Sequence, residues 1–369
     1  MLIPEATWRL PLASTVFVVA LMIWSLPASS NSAAAGIAAN GIYLKDEKNI
    51  SIEREDLYVS EHKIAVTYIF KNHSNTDITT LVAFPIPGYT FDITGTSFRP
   101  EYEDFTVEVN GKPIRYSEEV KAVADGVDYS DLLATLNISI KDFGNYEKQY
   151  HDKENYFTKL SPVEQEMLLQ KKLVVMWQSL PTPDWTVSRK YFWTQSFPAG
   201  SETKIKHTYK PYPSFGFYFK DPKRNRSDDN QRTCLTKDGE RWLWGDTRQD
   251  GYQYLSVDYI LTTANNWKQP IKDFRLALDG VKPEGEVLVT TCFTGEKKKT
   301  GQNQYEIRLA DFLPKENLTV YFIHKEGIGK LEPASNRWIS TIKYGIFSIL
   351  IASLFWLAYV AYRRIFRSK

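Results

Sequence analysis

The sequence predicts a mainly β protein with two β-sandwich-like halves, a helical insertion in the first half and one C-terminal transmembrane helix. Three observations support this prediction. The chain is 14% aromatic, with 22 Tyr, 20 Phe and 10 Trp, and aromatic residues favour strands. Short stretches of alternating apolar residues recur along the chain, which is typical of a sandwich. Near the C-terminus, residues 344–362 carry no charged side chain.

Length and charge limit the possible functions. At 369 residues, the chain is long enough for more than one typical domain and for a sizeable core. Its 46 basic residues nearly balance its 44 acidic residues. A nucleic-acid-binding protein should carry a basic excess on one face, so no nucleic-acid partner is expected.

Residues 1–30 have the layout of a secretory signal peptide. Arg9 precedes an apolar run over residues 16–26, and small side chains follow that run. Residues 28–30 and 31–33 are the two candidate cleavage sites. Because the apolar run is short for a bilayer span, a cleaved signal is expected at this end and not a permanent anchor.

Residues 344–362 predict a transmembrane helix that places the chain in a membrane. At about 1.5 Å per residue, the helix reaches about 29 Å, which matches the hydrocarbon core of a bilayer. Arg363, Arg364, Arg367 and Lys369 follow this run, whereas Arg337 and Lys343 precede it. The positive-inside rule therefore assigns residues 363–369 to a cytoplasmic tail and the preceding chain to the outside.

The first half is predicted to open with strands over residues 63–70 and 78–84. Pro85 and Pro87 are expected to end the second strand, because proline cannot donate to a β ladder. Further on, the Asn110-Gly111 pair predicts a tight hairpin turn between two short strands.

A helical insertion is expected at about residues 120–177. Its clearest signal is the stretch 161–164, which reads SPVE. The serine can cap a helix, the proline suits the first helical position, and the glutamate completes a capping box. We interpret this stretch as an insertion between strands and not as a separate domain.

The two β-rich halves are expected to span residues 31–220 and 221–335. Residues 221–229 are polar and charged, and they predict a boundary or an exposed loop. The other predicted strands span residues 191–196, 203–209, 252–262, 273–278, 286–293, 304–309 and 318–323.

Cys234 and Cys292 are the two cysteines of the chain, and both lie in the part predicted to face the outside. In an oxidising compartment an even cysteine count favours pairing, and closing a loop of this length is nominally worth about 4 kcal/mol. The sequence therefore predicts a disulfide between them, with two unpaired buried thiols as the alternative.

Several segments resemble a known family. In the front half they are residues 41–44 (GIYL), 54–60 (REDLYVS), 68–72 (YIFKN), 80–87 (TLVAFPIP) and 105–113 (FTVEVNGKP). In the back half they are residues 266–276 (NWKQPIKDFRL), Cys292 and residues 311–318 (DFLPKENL). Together they are similar to domain-of-unknown-function family 4424 over about residues 31–323. The resemblance implies an exported bacterial protein, most often facing the periplasm, and it supplies no catalytic residue.

Motifs for phosphate binding, dinucleotide binding, serine hydrolysis and zinc peptidase activity do not occur in the sequence. The histidines stand far apart at His62, His73, His151, His207 and His324, without metal-ligand spacing. The acidic pairs Glu101/Glu103, Asp228/Asp229 and Asp246/Asp250 lack the pattern of a catalytic or calcium site. No cofactor, metal or catalytic residue is therefore expected.

Trp242 and Trp244 are the candidate ligand-stacking residues. They stand two positions apart, so on a strand they would share one face, as a platform for sugar rings requires. Core packing is the alternative explanation of these side chains.

The sequence thus predicts a non-enzymatic binding or structural module on the periplasmic side of a bacterial inner membrane, held by a single transmembrane helix. Its expected partners are that membrane and an envelope protein or glycan. One alternative is a glycan-binding module that uses exposed Trp and Tyr. A second alternative is a hydrolase whose site forms only in the fold.

Overall fold

The computed structural model describes residues 32–38, 41–91, 104–141, 156–177, 180–221, 223, 233–245, 251–280 and 286–324. In these ranges the chain is mainly β and forms several sheets, as the sequence predicts. The predicted signal peptide (1–30), transmembrane helix (344–362) and tail (363–369) lie outside the described residues. Inside them, no helix has both the length and the apolar character that a membrane crossing requires.

The elements are named here in chain order. The first ten strands are β1 (Ala33–Ala38), β2 (Gly41–Leu44), β3 (Ile50–Ser60), β4 (Ile64–Asn72), β5 (Ile78–Thr90), β6 (Thr106–Val109), β7 (Lys112–Pro113), β8 (Ser117–Ala124), β9 (Val127–Asp128) and β10 (Val174–Trp177). The others are β11 (Leu180–Pro183), β12 (Thr186–Phe197), β13 (Glu202–Tyr209), β14 (Ser214–Phe219), β15 (Gly251–Tyr259), β16 (Ile271–Asp279), β17 (Val287–Thr290), β18 (Lys298–Gly301), β19 (Gln304–Phe312) and β20 (Leu318–His324). The helices are α1 (Ser130–Thr135), α2 (Pro162–Gln170), α3 (Lys237–Trp244) and a 3-10 turn (Thr262–Asn266).

An eight-stranded sheet joins the two ends of the described chain. Its strand order is β18-β19-β16-β3-β4-β13-β6-β7, and β16 pairs with β3 in parallel. Strands β16, β18 and β19 come after residue 220, whereas the other five come before it. The expected division into halves 31–220 and 221–335 is therefore corrected: strands from both sides of residue 220 share one sheet, because β16 pairs with β3.

The main core lies between this sheet and two smaller sheets. The six-stranded sheet has the order β2-β1-β5-β12-β8-β9, and the four-stranded sheet has the order β14-β15-β20-β17. One cluster of buried side chains includes Val66, Phe84 and Phe322, which come from the three different sheets. Alternation along β4 buries every second residue, as the two-residue period of a strand requires. The fold is thus a sandwich in which one large sheet faces two smaller ones.

Strand β5 continues through Pro85 and Pro87, so the expected end of this strand was wrong. On one side β12 pairs with β5 from Ile78 to Thr90, with a register shift between Val187 and Arg189. On the other side β1 pairs only with residues 81–83, and no other described strand follows it there. Pro87 lies at the register shift between β5 and β12, and prolines within sheets are confined to edges and bulges of this kind, so the strand tolerates it there.

The hairpin signal and the helix start are both confirmed. Asn110 and Gly111 adopt φ values of 50° and 78° between β6 and β7, as the tight turn requires. Ser161 and Glu164 form the capping box at the start of α2. With α1 and the β10–β11 hairpin, α2 packs on a separate small core around Trp185. The insertion thus carries helices as predicted, although its range also contains strands.

Cys234 and Cys292 form a disulfide with Cα atoms 5.2 Å apart. Cys234 precedes α3 and Cys292 follows β17, so the bond ties the helix to the four-stranded sheet across 58 positions of chain. Each cysteine is exposed at the surface of the fold. The bond therefore stabilises the folded protein by lowering the entropy of the unfolded chain, and it adds little to core packing.

Replacement of Cys292 by alanine should lower the free energy of unfolding by about 2–5 kcal/mol, because the unfolded chain regains the entropy of the open loop. Urea denaturation of the oxidised protein and the variant measures the difference. A Cys234→Ala variant should match it. Equal stability of wild type and both variants would contradict this account.

Candidate functional site

Trp242 and Trp244 lie on helix α3 and not on a strand. The Thr236 side chain caps this helix by accepting a hydrogen bond from the backbone N–H of Gly239. Residues two apart on a helix point about 200° apart, so the two indoles do not share a face. The expectation that these two tryptophans share one stacking face is therefore wrong.

Both indoles are half-buried and pack against aromatic side chains of the four-stranded sheet. The Trp244 ring stacks on Tyr218 with ring centroids 5.8 Å apart. The Tyr252 ring lies 5.3 Å from it. The packing of α3 onto the sheet thus explains why tryptophans stand at these two positions.

Of the four histidines of the described ranges, His62 and His324 lie beside the same carboxylate, Glu61, and the other two lie elsewhere. His62 is exposed, and His73 Nε2 lies 2.7 Å from Ser51 Oγ. His324 and Glu61 form a buried pair, with Nε2 and Oε1 2.8 Å apart. Within the part of the chain that the structure describes, no group of three or more His, Cys, Asp or Glu could hold a metal ion. The remaining candidates lie outside the described residues: His151, Glu101, Glu103, Asp228, Asp229, Asp246 and Asp250.

His207 is fully buried in the main core. Its Nε2 lies 2.8 Å from Ser32 Oγ, and aromatic rings including Phe84 surround the imidazole, the Phe84 centroid being 4.8 Å away. Burial lowers the pKa of His207 from its ordinary 6.5 to about 3, because the interior disfavours the charged ring. The imidazole is therefore a neutral core group without access for a substrate.

A depression of about 360 Å³ with a polar lining lies on the outer face of the eight-stranded sheet, across β4, β3, β16 and β19, and reaches the edge strand β18 at Thr300. We call it the polar depression. The side chains that strand alternation places on this face are Asp56, Tyr58, Ala65, Thr67, Arg275, Ala277, Asp279, Gln304 and Glu306. These side chains point away from the main core.

Tyr58 stands in the middle of the polar depression. It pairs in register with Ala65 on one neighbouring strand and with Ala277 on the other. Because both cross-strand neighbours are alanine, no large side chain stands beside the ring at these positions. The Tyr58 hydroxyl donates a hydrogen bond of 2.7 Å to Asp279 Oδ2. Partial burial, and then this bond, raise the pKa of the phenol, so the ring is fixed, half-exposed and neutral.

Glu306 holds two arginines at the edge of the polar depression. Arg308 Nε donates to Oε1 at 2.8 Å, and Arg275 Nε donates to Oε2 at 2.6 Å. Hydrogen bonds from Arg308 and Arg275 lower the pKa of the Glu306 carboxyl to about 2. On β3, Arg54 and Asp56 form a further pair at 2.8 Å. The three arginines on this face are thus each paired with a carboxylate, and the Glu306 carboxylate stays ionised.

No motif in the sequence points to the polar depression. The available signal was the alternation over residues 54–60, where polar side chains at Arg54, Asp56 and Tyr58 interrupt buried positions. That pattern predicts a strand with a polar outer face. It does not predict which distant strand supplies Ala277, more than two hundred residues away in the chain.

A family model described as Domain of unknown function (DUF4424) matches residues 30–321 of the chain. No curated protein matches this chain. Among solved structures, a candidate nutrient binding protein of Legionella pneumophila is 14% identical, with a TM-score of 0.38, over 80% of this chain and 72% of that one. An M1 zinc metallopeptidase from Deinococcus radiodurans is 7% identical, with a TM-score of 0.24, over 75% of this chain and 43% of that one. The chain thus spans less than half the length of that peptidase.

His207 should make the stability of the protein depend on pH. Its pKa is lower in the folded protein than in the unfolded chain, so the unfolded state binds more protons between pH 3 and 6.5. Stability should therefore fall as the pH falls through this window, by up to about 1.4 kcal/mol per pH unit.

Urea denaturation of wild type and a His207→Gln variant between pH 7.5 and 4 measures this contribution. Because other groups titrate in both proteins, the difference between the two curves isolates His207. That difference should shrink as the pH falls. A difference that does not change with pH would show that folding does not lower the pKa of His207.

Proposed function

The chain belongs to the DUF4424 family, and we propose that it is a non-enzymatic binding module of the bacterial envelope that holds its ligand at the polar depression. The observation that carries this proposal is the arrangement of the outer sheet face. There, a half-exposed tyrosine stands between two alanines inside a ring of hydrogen-bonding side chains. Concave surfaces with a few fixed polar groups are typical ligand sites.

The titration of the groups at the site favours binding over catalysis. A general acid or base works best when its pKa is near the operating pH. Glu306 has a pKa of about 2 and both its oxygens accept arginine hydrogen bonds, and the pKa of Tyr58 is raised above its ordinary value. His207, with a pKa of about 3, is enclosed in the core. These groups suit a role as fixed hydrogen-bonding partners.

We place the module on the periplasmic side of the inner membrane. The proposal rests on the signal-like N-terminal sequence, the uncharged run over residues 344–362 and the basic tail that follows it. The disulfide between Cys234 and Cys292 is consistent with an oxidising compartment.

The contacts of Ser32 suggest which cleavage site is used. Ser32 is fully buried, its Oγ contacts His207, and its carbonyl accepts a 2.6 Å hydrogen bond from Trp267 Nε1. Removal of Ser32 would leave two polar groups in the core without this partner, which is costly. Cleavage after residue 30 would preserve these contacts, whereas cleavage after residue 33 would remove them.

The mature chain should therefore begin upstream of Ser32. Intact-mass spectrometry of the protein isolated from the membrane fraction of its native host identifies the first residue. A mature N-terminus at residue 34 would contradict the proposed role of Ser32, and an intact Met1 would contradict removal of the leader.

A compact aliphatic diazirine side chain at position 277, much smaller than an indole, should capture the ligand in the native envelope, because this position lies on the floor of the polar depression. The matched control carries the same side chain at Val163, which is 79% exposed on helix α2. Adducts are detected by a mass shift after irradiation of whole cells.

An adduct at position 277 and not at position 163 is the expected result. Equal labelling at both positions, or labelling at position 163 alone, would mean that the polar depression is not the binding surface.

A further inference from the structure

We infer that the polar depression takes an uncharged, hydroxyl-rich ligand, a glycan, with one sugar ring stacked on Tyr58. This inference rests on the proposed function and names the ligand class of the same site. It replaces the platform that the sequence suggested at Trp242 and Trp244 with a different surface, on another sheet.

The backbone on the floor of the polar depression is paired within the sheet. The strands on its floor are paired on both sides: β4 with β3 and β13, β3 with β4 and β16, and β16 with β3 and β19. At its border, β19 pairs with the edge strand β18 only over residues 304–306. An extended peptide usually binds a sheet by adding a strand to an unpaired edge. The edge strand β18 reaches the polar depression only at Thr300, whereas Tyr58 and Ala277 on the floor lie on inner strands, so side chains must provide the recognition there.

The charges of the site favour a neutral ligand. Arg54 pairs with Asp56, and Glu306 pairs with both Arg275 and Arg308. A charged ligand would have to compete with these pairs for its counter-charge. A neutral hydroxyl can instead accept or donate a hydrogen bond while the pairs stay intact.

Hydrogen-bonding capacity for such hydroxyls remains on this face. Arg275 and Arg308 use their Nε atoms for Glu306, and within the described residues their Nη groups make no hydrogen bond. The Gln304 side-chain amide, opposite Asp279 in register, also makes none among those residues. Planar groups that donate and accept beside each other match the vicinal hydroxyls of a sugar ring.

Tyr58 supplies the apolar contact that a sugar ring needs. The flanking residues Ala65 and Ala277 leave space beside the phenol ring, and the bond to Asp279 holds its orientation. An aromatic ring combines a large apolar contact area with few rotatable bonds. The volume of about 360 Å³ is at the lower end of the range for ligand pockets, about 300–1,000 Å³, which suits the end of an oligosaccharide.

The test uses the full chain in detergent on an array of immobilised oligosaccharides. One set contains neutral hexoses and N-acetylhexosamines, and the other contains matched chains with uronic acids. Retention of the protein on members of the neutral set is expected. Retention on the uronic-acid set alone, or on neither set, would overturn the inference.

Two variants locate the binding. Tyr58→Ala removes the stacking ring and Ala277→Trp fills the floor, and each should weaken binding to a retained neutral oligosaccharide by at least about tenfold, which is about 1.4 kcal/mol. The controls Tyr43→Ala and Ala134→Trp make the same changes at exposed positions elsewhere and should bind within about twofold of wild type.

Thermal unfolding of all four variants identifies any that fail to fold, and Tyr58→Phe, which keeps the ring, should then retain binding. Equal affinity of wild type and a folded Ala277→Trp variant would overturn the inference. The two proposals can also fail separately. If cross-linking at position 277 captures a protein while neutral glycans do not bind, the ligand class is wrong and the binding surface stands.

Discussion

The parallel pairing of β3 with β16 is the constraint on which the rest of the structure depends. It aligns residues 54–60 with residues 273–279 and so joins the beginning of the described chain to its later part. The register decides both faces of the sheet at once: Leu57 meets Leu276 in the core, and Tyr58 meets Ala277 outside. Because side chains alternate, a slip of one residue would turn Tyr58 into the core and Leu57 into the solvent.

The same pairing explains why the polar groups divide into two kinds. Side chains that face inward, such as His207, lose access to solvent and are held neutral by burial. Those that face outward, such as Glu306, keep their charge because Arg308 on the same strand and Arg275 on the neighbouring strand lie within hydrogen-bond reach. A large sheet with a closed inner face thus carries an outer surface whose polar groups are held in place by the paired strands beneath them.

Local signals in the sequence predict much of this fold. Asn110-Gly111 forms its turn, Ser161 and Glu164 form their capping box, and alternation identifies most strands. These features depend on residues close together in the chain, so they are readable without the tertiary structure. The helical state of Trp242 and Trp244 was missed because aromatic residues favour strands and Gly239 disfavours a helix, whereas packing on the four-stranded sheet decided the outcome.

The candidate site could not be predicted in the same way. Tyr58, Ala277 and Glu306 come from three separate strands, and each is an ordinary outward-facing residue by itself. Only the pairing of β3, β16 and β19 makes them neighbours, and the sequence gives no signal for a parallel contact over such a separation. For the same reason, the predicted boundary near residue 220 separates segments that are consecutive in the chain but share one sheet in the fold.

NMR of alanine methyl groups in the full chain tests the central claim most directly. The Ala65 and Ala277 methyls flank Tyr58 and report on any ring placed over it. During titration with a neutral oligosaccharide that the protein retains, both resonances should shift together and saturate, while Ala134 on helix α1 stays unchanged. A saturated complex in which Ala65 and Ala277 do not shift would contradict binding at the polar depression.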